Sequence, residues 1–417
     1  MAEKSVFTPY QKTVVALLAI TQFTVVLDFM VMAPLGDILI KSMDLSPAQF
    51  GLAVSSYAFS AGLSGFMAAG FADKYDRKSL LLFFYTGFIA GTLFCGLAPN
   101  YPTLIAARII TGIFGGVIGS ISLAIVTDLF DLSLRGRVMG FIQMGFGASQ
   151  VLGIPIGLYF ANLWGWHAPF LMIVGLGLIM AALIFNKLQP VREHLGKDTG
   201  RNALQHLRHT FAIADYRYAF SATALLSIGG FLLMPFSSAF LVNNTGITHE
   251  QLPLVFMITG VFSLLAMPAV GRLADKVDKF TLFAVGSVWA VIFMIIYTHM
   301  TISPMWYVVA INILLFAGIM SRMVPSMAIM TAVPSMPDRG AFMSINSSLQ
   351  QIAGGIASAF AGVIVVQHTK NSPLEHYDTL GFIGASIVLL CVVLMWQVNK
   401  RSVKKVEKAP QVVALES

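Results

Sequence analysis

Charged side chains inside long apolar stretches are where this sequence can do chemistry, and there are three of them: Asp28, Arg108 and Arg322. Asp28 lies in VVLDFMVMAP and is the only acid well inside such a stretch, since Asp37, Asp128 and Asp215 sit near stretch ends. A lone carboxyl group held in hydrocarbon is suited to exchanging a proton, or else to pairing permanently with a cation. Arg108 is the natural partner. An arginine at depth normally faces a cavity or an acid. Arg108 is also only roughly 9 Å along a helix from Pro102, so snorkelling to the surface is open to it. Arg322, close to Pro325, has no matching acid in its half of the chain. It is able to receive an anionic solute, neutralise a cavity or donate to backbone carbonyls. Gln143, Gln150, Asn346 and Gln350 bring amides into apolar stretches, where such groups line a passage or join helices.

Other chemistries lack their residues. The eight histidines fall mostly in loops or at helix ends, with no H-x-x-x-H pair. No glycine-rich phosphate loop follows a strand, and no serine sits in a nucleophile elbow. We therefore expect no enzyme, no cofactor and no metal site. The chain is 57% hydrophobic and 11% charged, against roughly 25% charged in soluble proteins, so lipid is its solvent. The net charge of +7 does not point to nucleic acid, because of where the charges lie. Cys95 and Cys391 are each inside an apolar run and are expected as free thiols. No cleavable signal peptide is visible after Lys12.

These side chains must be positioned by membrane helices of about 20 residues each. Twelve segments fit: 13–40, 48–72, 79–98, 102–129, 136–163, 166–187, 216–243, 250–274, 280–299, 304–333, 340–368 and 378–398. Ser46-Pro47 and Pro102 suit helix starts. Of the 26 lysines and arginines, 22 then fall on the side of the termini and 2, Lys41 and Lys370, on the other; the remaining 2 are Arg108 and Arg322. That asymmetry predicts cytoplasmic termini. The expected organisation is a six-helix bundle over 1–187, a cytoplasmic linker over 188–215, a second bundle over 216–398 and a basic, disordered tail over 399–417. Within the linker, Asn202 suits the cap of a short helix with Leu204, Leu207 and Phe211 on one face, lying on the membrane or simply solvated.

The halves repeat. Ala69-Gly70-Phe71-Ala72-Asp73-Lys74-Tyr75-Asp76-Arg77-Lys78 returns as Gly271 through Lys279, with Asp73 and Asp275 202 positions apart. Arg135-Gly136 with Met139 returns as Arg339-Gly340 with Met343, 204 positions apart. Six helices, a loop and six more with this internal repeat resemble the major facilitator superfamily, in which two halves rock about a midplane site. The repeated segment is similar to that family's G-x-L-A-D-[RK]-x-G-[RK]-[RK] loop, with Ala69 at the leading glycine and Asp76 and Asp278 at the inner one. Arg108-Ile109-Ile110-Thr111-Gly112 is similar to its R-x-x-x-G pattern. Leu27-Asp28-Phe29-Met30-Val31 is like the L-D-x-x-[IV] stretch of drug:proton exporters. Trp164-Gly165-Trp166-His167-Ala168-Pro169-Phe170 resembles the G-W-R-x-x-F exit of drug and sugar exporters, with His167 for arginine. In the fifth helix, Gly147, Gly153, Pro155 and Gly157 permit kinking and close packing and form a looser version of the exporters' G-P-x-x-G-G element.

The resemblance implies an all-α membrane fold of twelve helices in two pseudo-symmetric halves. It implies a secondary transporter, here proton-coupled export (antiport) of small amphipathic or sugar-like compounds by alternating access. Asp28 and Arg108 would couple protons. Asp73, Arg77, Lys78 and Asp275, with Asp128 as the acid for Arg77, would form a conformational latch. Gln143, Gln150, Arg322, Asn346 and Gln350 would face the substrate cavity. The expected partners are a small-molecule substrate, protons and the bilayer, for a monomer in a bacterial inner membrane. The loose fifth-helix element leaves uptake or lipid movement by the same fold open, as is a receptor or scaffold, although buried charge favours transport. Asp28 lies roughly 22 Å and Arg108 roughly 30 Å from the cytoplasmic ends of their helices, a mismatch an extended arginine can bridge.

Overall fold

The computed structural model describes residues 7–68, 74–192, 195, 203–335 and 338–408; among them the chain is helical, with one isolated bridge between Val366 and Glu375. The N-terminal half holds α1 (Pro9–Val31), α2 (Gly36–Met43), α3 (Pro47–Ala68), α4 (Arg77–Gly96), α5 (Tyr101–Leu129), α6 (Leu132–Ala148), α7 (Ile154–Trp164) and α8 (His167–Lys187). After α9 (Ala203–Ala212), the C-terminal half holds α10 (Ala214–Phe231), α11 (Ser237–Asn243), α12 (Leu252–Lys276), α13 (Lys279–Thr298), α14 (Met305–Ala332), α15 (Arg339–Ile364) and α16 (Tyr377–Lys408). Eleven described segments are long and apolar enough to cross a membrane. The twelfth span is α15, whose 26 residues have their apolarity diluted by Gly, Ser and Gln. At 1.5 Å per residue it is still about 39 Å long.

Helix starts are written in local chemistry. Thr8 and Gln11 form a capping box ahead of Pro9, and Asn100 caps α5 through the Thr103 amide. Ser46 and Gln49 exchange capping bonds at α3; Thr248 and Gln251, both 202 positions later, do the same at α12. Asp76 and Asp278 cap α4 and α13 at that same spacing. Each satisfies amides that a helix leaves unpaired at its start.

Three expected spans are broken. The helix expected over 13–40 ends at Val31, turns through Met32–Leu35 and resumes as α2; Pro34 has no N–H to continue the ladder. The one expected over 216–243 breaks after Phe231 at a short turn containing Pro235. The two breaks meet: Ser238 Oγ donates to the Ala33 carbonyl at 2.7 Å. The fifth span carries a π-turn over Ser149–Gly153 between α6 and α7. Ser149 there donates to the carbonyls of Gly145 (2.8 Å) and Phe23 (3.0 Å). At the C-terminus, α16 runs past the expected boundary at 398 to Lys408, so the tail is helical at its start rather than disordered.

The halves join along two seams. On α3 and α15, a Cβ at Gly51 would lie 2.7 Å from the Ser358 carbonyl, and one at Gly362 2.8 Å from that of Pro47. On the other seam a Cβ at Gly260 of α12 would lie 3.0 Å from the carbonyl of Gln150 in the π-turn. Small residues are what let backbones approach this closely. Further inter-half contacts gather at the face opposite the termini, the distal face. There Lys370 pairs with Asp44 at 3.0 Å, and Asn162 donates to the His249 carbonyl at 2.7 Å. The helix expected in the linker is α9. Its Phe211 stacks on Phe220 of α10 at 5.7 Å, and Leu207 packs against a core that includes Phe342. Its expected cap, Asn202, lies outside the described residues.

Candidate functional site

Asp28 and Arg108 meet. Arg108 Nη1 donates to Asp28 Oδ2 at 2.8 Å and to the Asp28 carbonyl at 3.4 Å. Thr92 of α4 donates its hydroxyl to Asp28 Oδ1 at 3.1 Å. Both charged side chains are 0% exposed, so the pair is buried within the N-terminal half instead of lying open to the space between halves. The guanidinium stands over the Tyr57 ring at 4.5 Å. Among the described residues its Nε and Nη2 have no hydrogen-bond partner. Close helix packing makes the pocket. A Cβ at Gly91 would lie 2.6 Å from Thr111 Oγ1, and one at Gly115 2.8 Å from the Tyr57 hydroxyl. A desolvated ion pair with unsatisfied donors is a high-energy arrangement whose strength changes sharply with the carboxyl's protonation.

Arg322 lies elsewhere. It is 3% exposed within the C-terminal half, donates Nε to Ser287 Oγ at 3.0 Å and sits over the Phe283 ring at 5.7 Å. Among the described residues its Nη2 has no hydrogen-bond partner. Asn346 accepts the Thr223 hydroxyl at 2.6 Å and so ties α15 to α10. Gln143 and Gln350 are exposed, while Gln150 lies in the π-turn. Among the described residues no hydrogen bond draws these amides and Arg322 into one cluster. Of the fifth-span residues, Gly147 faces Leu264 of α12, Gly153 faces Leu27 and Gly157 faces Val31; Pro155 opens α7 just after the π-turn.

At the first residue of α4, Arg77 Nε pairs with Asp128 Oδ2 at 3.1 Å, with Arg77 5% exposed. Lys78 Nζ donates to the Phe185 carbonyl at 2.7 Å, near the C-terminal end of α8, where a cation is favoured. Asp73 lies outside the described residues. Asp275 is exposed near the end of α12. In the sequence Asp76 stands only as a departure from the family's glycine. It caps α4 through the Lys78 amide at 3.0 Å, accepts the Val191 amide at 2.9 Å and pairs with Arg192 at 3.3 Å. The start of the linker is thereby fixed to the N-terminal half.

A second cluster escaped the sequence reading. Asp37, 1% exposed at the distal face, pairs with Lys41 at 2.9 Å and His249 Nε2 at 3.1 Å, and accepts from Asn243 Nδ2. Asn243 and His249 belong to the other half. The Asp37–Lys41 spacing of four is a visible helix signal, but the partners across the interface are not. Burial pushes the Asp37 carboxyl up, yet hydrogen bonds from His249, Lys41 and Asn243 outweigh it and hold the group below the usual carboxylate range.

Comparison with known proteins gives a consistent picture. The chain matches the sequence profile of the Major Facilitator Superfamily over residues 18–358 and again over 219–414. It is 25% identical over 399 residues to an uncharacterized MFS-type transporter of Bacillus subtilis, covering 93% of this chain and 97% of that one. It is 28% identical over 164 residues to a probable sugar efflux transporter of Helicobacter pylori, covering 39% of this chain and 42% of that one. Its fold is similar to the crystal structure of a bacterial homolog of the human lysosomal transporter Spinster in an inward-facing, unoccupied conformation. There the TM-score is 0.78 at 17% identity, covering 96% and 99% of the two chains.

Proposed function

Since the chain belongs to the major facilitator superfamily of membrane transporters, we propose that it is a proton-coupled exporter of small amphipathic or sugar-like compounds, working by alternating access. The observation that carries the reading is the fully buried Asp28–Arg108 pair with Thr92 on the second carboxylate oxygen. A proton on Asp28 removes the charge that holds Arg108, which then keeps only the Asp28 carbonyl and the Tyr57 ring. Loss of the proton restores the pair. Because the pair ties α1, α4 and α5 together, its making and breaking biases how the N-terminal half packs. Export is supported by the likeness to a sugar efflux transporter and by the exporter-like residues around Asp28 and His167. The exposed Gln143 and Gln350 are the amides best placed to meet a solute. Arg77, Lys78 and Asp128 are read as a latch, with Asp73 and Asp275. The protein acts as a monomer in a bacterial inner membrane with both termini cytoplasmic, which makes the distal face the outer one.

The test uses proteoliposomes loaded with candidate solutes under an inward proton gradient. Wild type is expected to concentrate solute against its gradient, and Asp28→Asn to bind solute but lose that coupling. Coupled transport by Asp28→Asn at the wild-type level would remove Asp28 from the mechanism. The orientation is checked separately by cysteine labelling of the tail from each side, in a chain lacking Cys95 and Cys391.

A further inference from the structure

From the interface of the two halves to the buried ion pair runs a chain of three aromatic rings, graded in burial. Phe29 and Phe231 are half-buried, Tyr57 behind them is 2% exposed, and Arg108 and Asp28 behind Tyr57 are 0% exposed. The rings are in contact: Phe29 lies 5.4 Å from Tyr57 and 5.7 Å from Phe231. Tyr57 in turn covers Arg108 at 4.5 Å. Phe29 and Phe231 are 202 positions apart, the spacing of the internal repeat, and each lies in the last turn before the break in its own helix. They are therefore the same residue of the two halves, meeting across the pseudo-two-fold axis. Phe231 is backed by Gly354 of α15, where a Cβ would lie 3.1 Å from its ring.

We propose that Phe29, Phe231 and Tyr57 form an aromatic shutter that seals the Asp28–Arg108 pair from the inter-half space in this conformation. Because Phe29 and Phe231 belong to opposite halves, rocking that parts the helix breaks must also part these two rings. Access to the carboxylate is thus tied to which face of the protein is open. Tyr57 acts here through its ring face over the guanidinium, and the hydroxyl is not required. The proposal deepens the reading of Asp28 as the proton carrier and rests on it for its role in coupling; the seal itself does not depend on that reading.

The chain carries its own probe. Cys95 is 0% exposed, with Sγ 3.6 Å from Thr111 Oγ1 in the same pocket, while Cys391 is 0% exposed in the C-terminal core. Full-length protein in nanodiscs would be treated with methyl methanethiosulfonate and each cysteine followed by mass spectrometry. In wild type both thiols are expected to be protected. In Tyr57→Ala, and independently in Phe231→Ala, Cys95 is expected to react at least about tenfold faster with Cys391 still protected. Tyr57→Phe keeps the ring and is expected to behave as wild type. Unchanged Cys95 reactivity in both alanine variants overturns the shutter, as does equal gain of reactivity at Cys95 and Cys391, which reports general loosening. In proteoliposomes without solute, Phe231→Ala is expected to leak protons and Phe231→Ala with Asp28→Asn not to. Selective Cys95 labelling without a proton leak would leave the seal standing and overturn its role in coupling, and with it the reading of Asp28.

Discussion

Arg108 and Arg322 are buried alike, one in each half, yet among the described residues only Arg108 of the two meets a carboxylate. The repeat itself is faithful elsewhere. Arg135 donates to the Thr127 carbonyl and Arg339, 204 positions on, to that of Thr331. By that spacing the counterpart of Arg108 is Asn312, which merely donates to the Val308 carbonyl of its own helix at 3.0 Å. The counterpart of Asp128 is Ala332, so the Arg77–Asp128 pair has no equivalent either. Duplication has kept caps, breaks and loop contacts in both halves and kept buried ionic chemistry in one. Under the coupling proposed above, the N-terminal half responds to a charge change at Asp28, whereas the C-terminal half holds a buried arginine on a hydroxyl.

The largest contrast between the halves comes from removing each arginine. Arg108→Ala strands Asp28 in a dry pocket and is expected to cost about 3–5 kcal/mol. Arg322→Met leaves Ser287 still bonded to the Phe283 carbonyl at 2.7 Å and is expected to be close to neutral, because it removes a buried charge that holds no carboxylate. Thermal unfolding in detergent reads both, and equal losses would erase the asymmetry. Where the halves meet, Gly260→Ala drives a methyl against the π-turn, with an expected cost of about 1–3 kcal/mol to the arrangement described; increased cysteine reactivity along α12 would register the loosened seam. Smaller still is the loop contrast. Arg77→Ala is expected to slow transport several-fold without changing solute affinity, whereas Lys279→Ala, exposed at the repeat position, should leave the transport rate unchanged. Similar rates for the two variants would show that Asp128 adds nothing.

The smallest effect concerns pH at the distal face. The Asp37 carboxyl is held below its ordinary value by partners from both halves, so its contribution to the inter-half contacts there is present above the ordinary carboxylate range and lost as pH falls through the lowered value. Those contacts are expected to hold through neutral and mildly acidic conditions and to loosen only in strong acid. Asp37→Asn should show the loosened state at neutral pH, read as accessibility of a cysteine placed near Asn243.

The spans, the repeat and the membership of the N-terminal charge sites were legible because each leaves a pattern along the chain: apolar length, recurring spacing, or charge where lipid forbids it. The Arg77–Asp128 and Asp28–Arg108 contacts followed from depth and sign. What escaped depends on backbone or on partners from far away. Pro34 and Pro235 were visible, but a proline in a membrane helix can kink it or break it, and the sequence does not choose. Asp76 looked like a lost glycine because its capping and its hold on Val191 need the folded linker. Asp37 gave only its bond to Lys41; Asn243 and His249 come from more than 200 residues away.

The buried pair has an electrical side. With Asp28 ionised, the site carries no net charge, and a field across the membrane exerts little force on it. With Asp28 protonated, the charge on Arg108 is uncompensated, and the same pocket becomes a cation set inside a low-dielectric bundle. One elementary charge moved through 100 mV is worth about 2.3 kcal/mol. On the proposed reading of Asp28 as the proton carrier, a cell that is negative inside would thus pull on this site when it is protonated and little when it is ionised, so voltage would act here on one limb of the cycle.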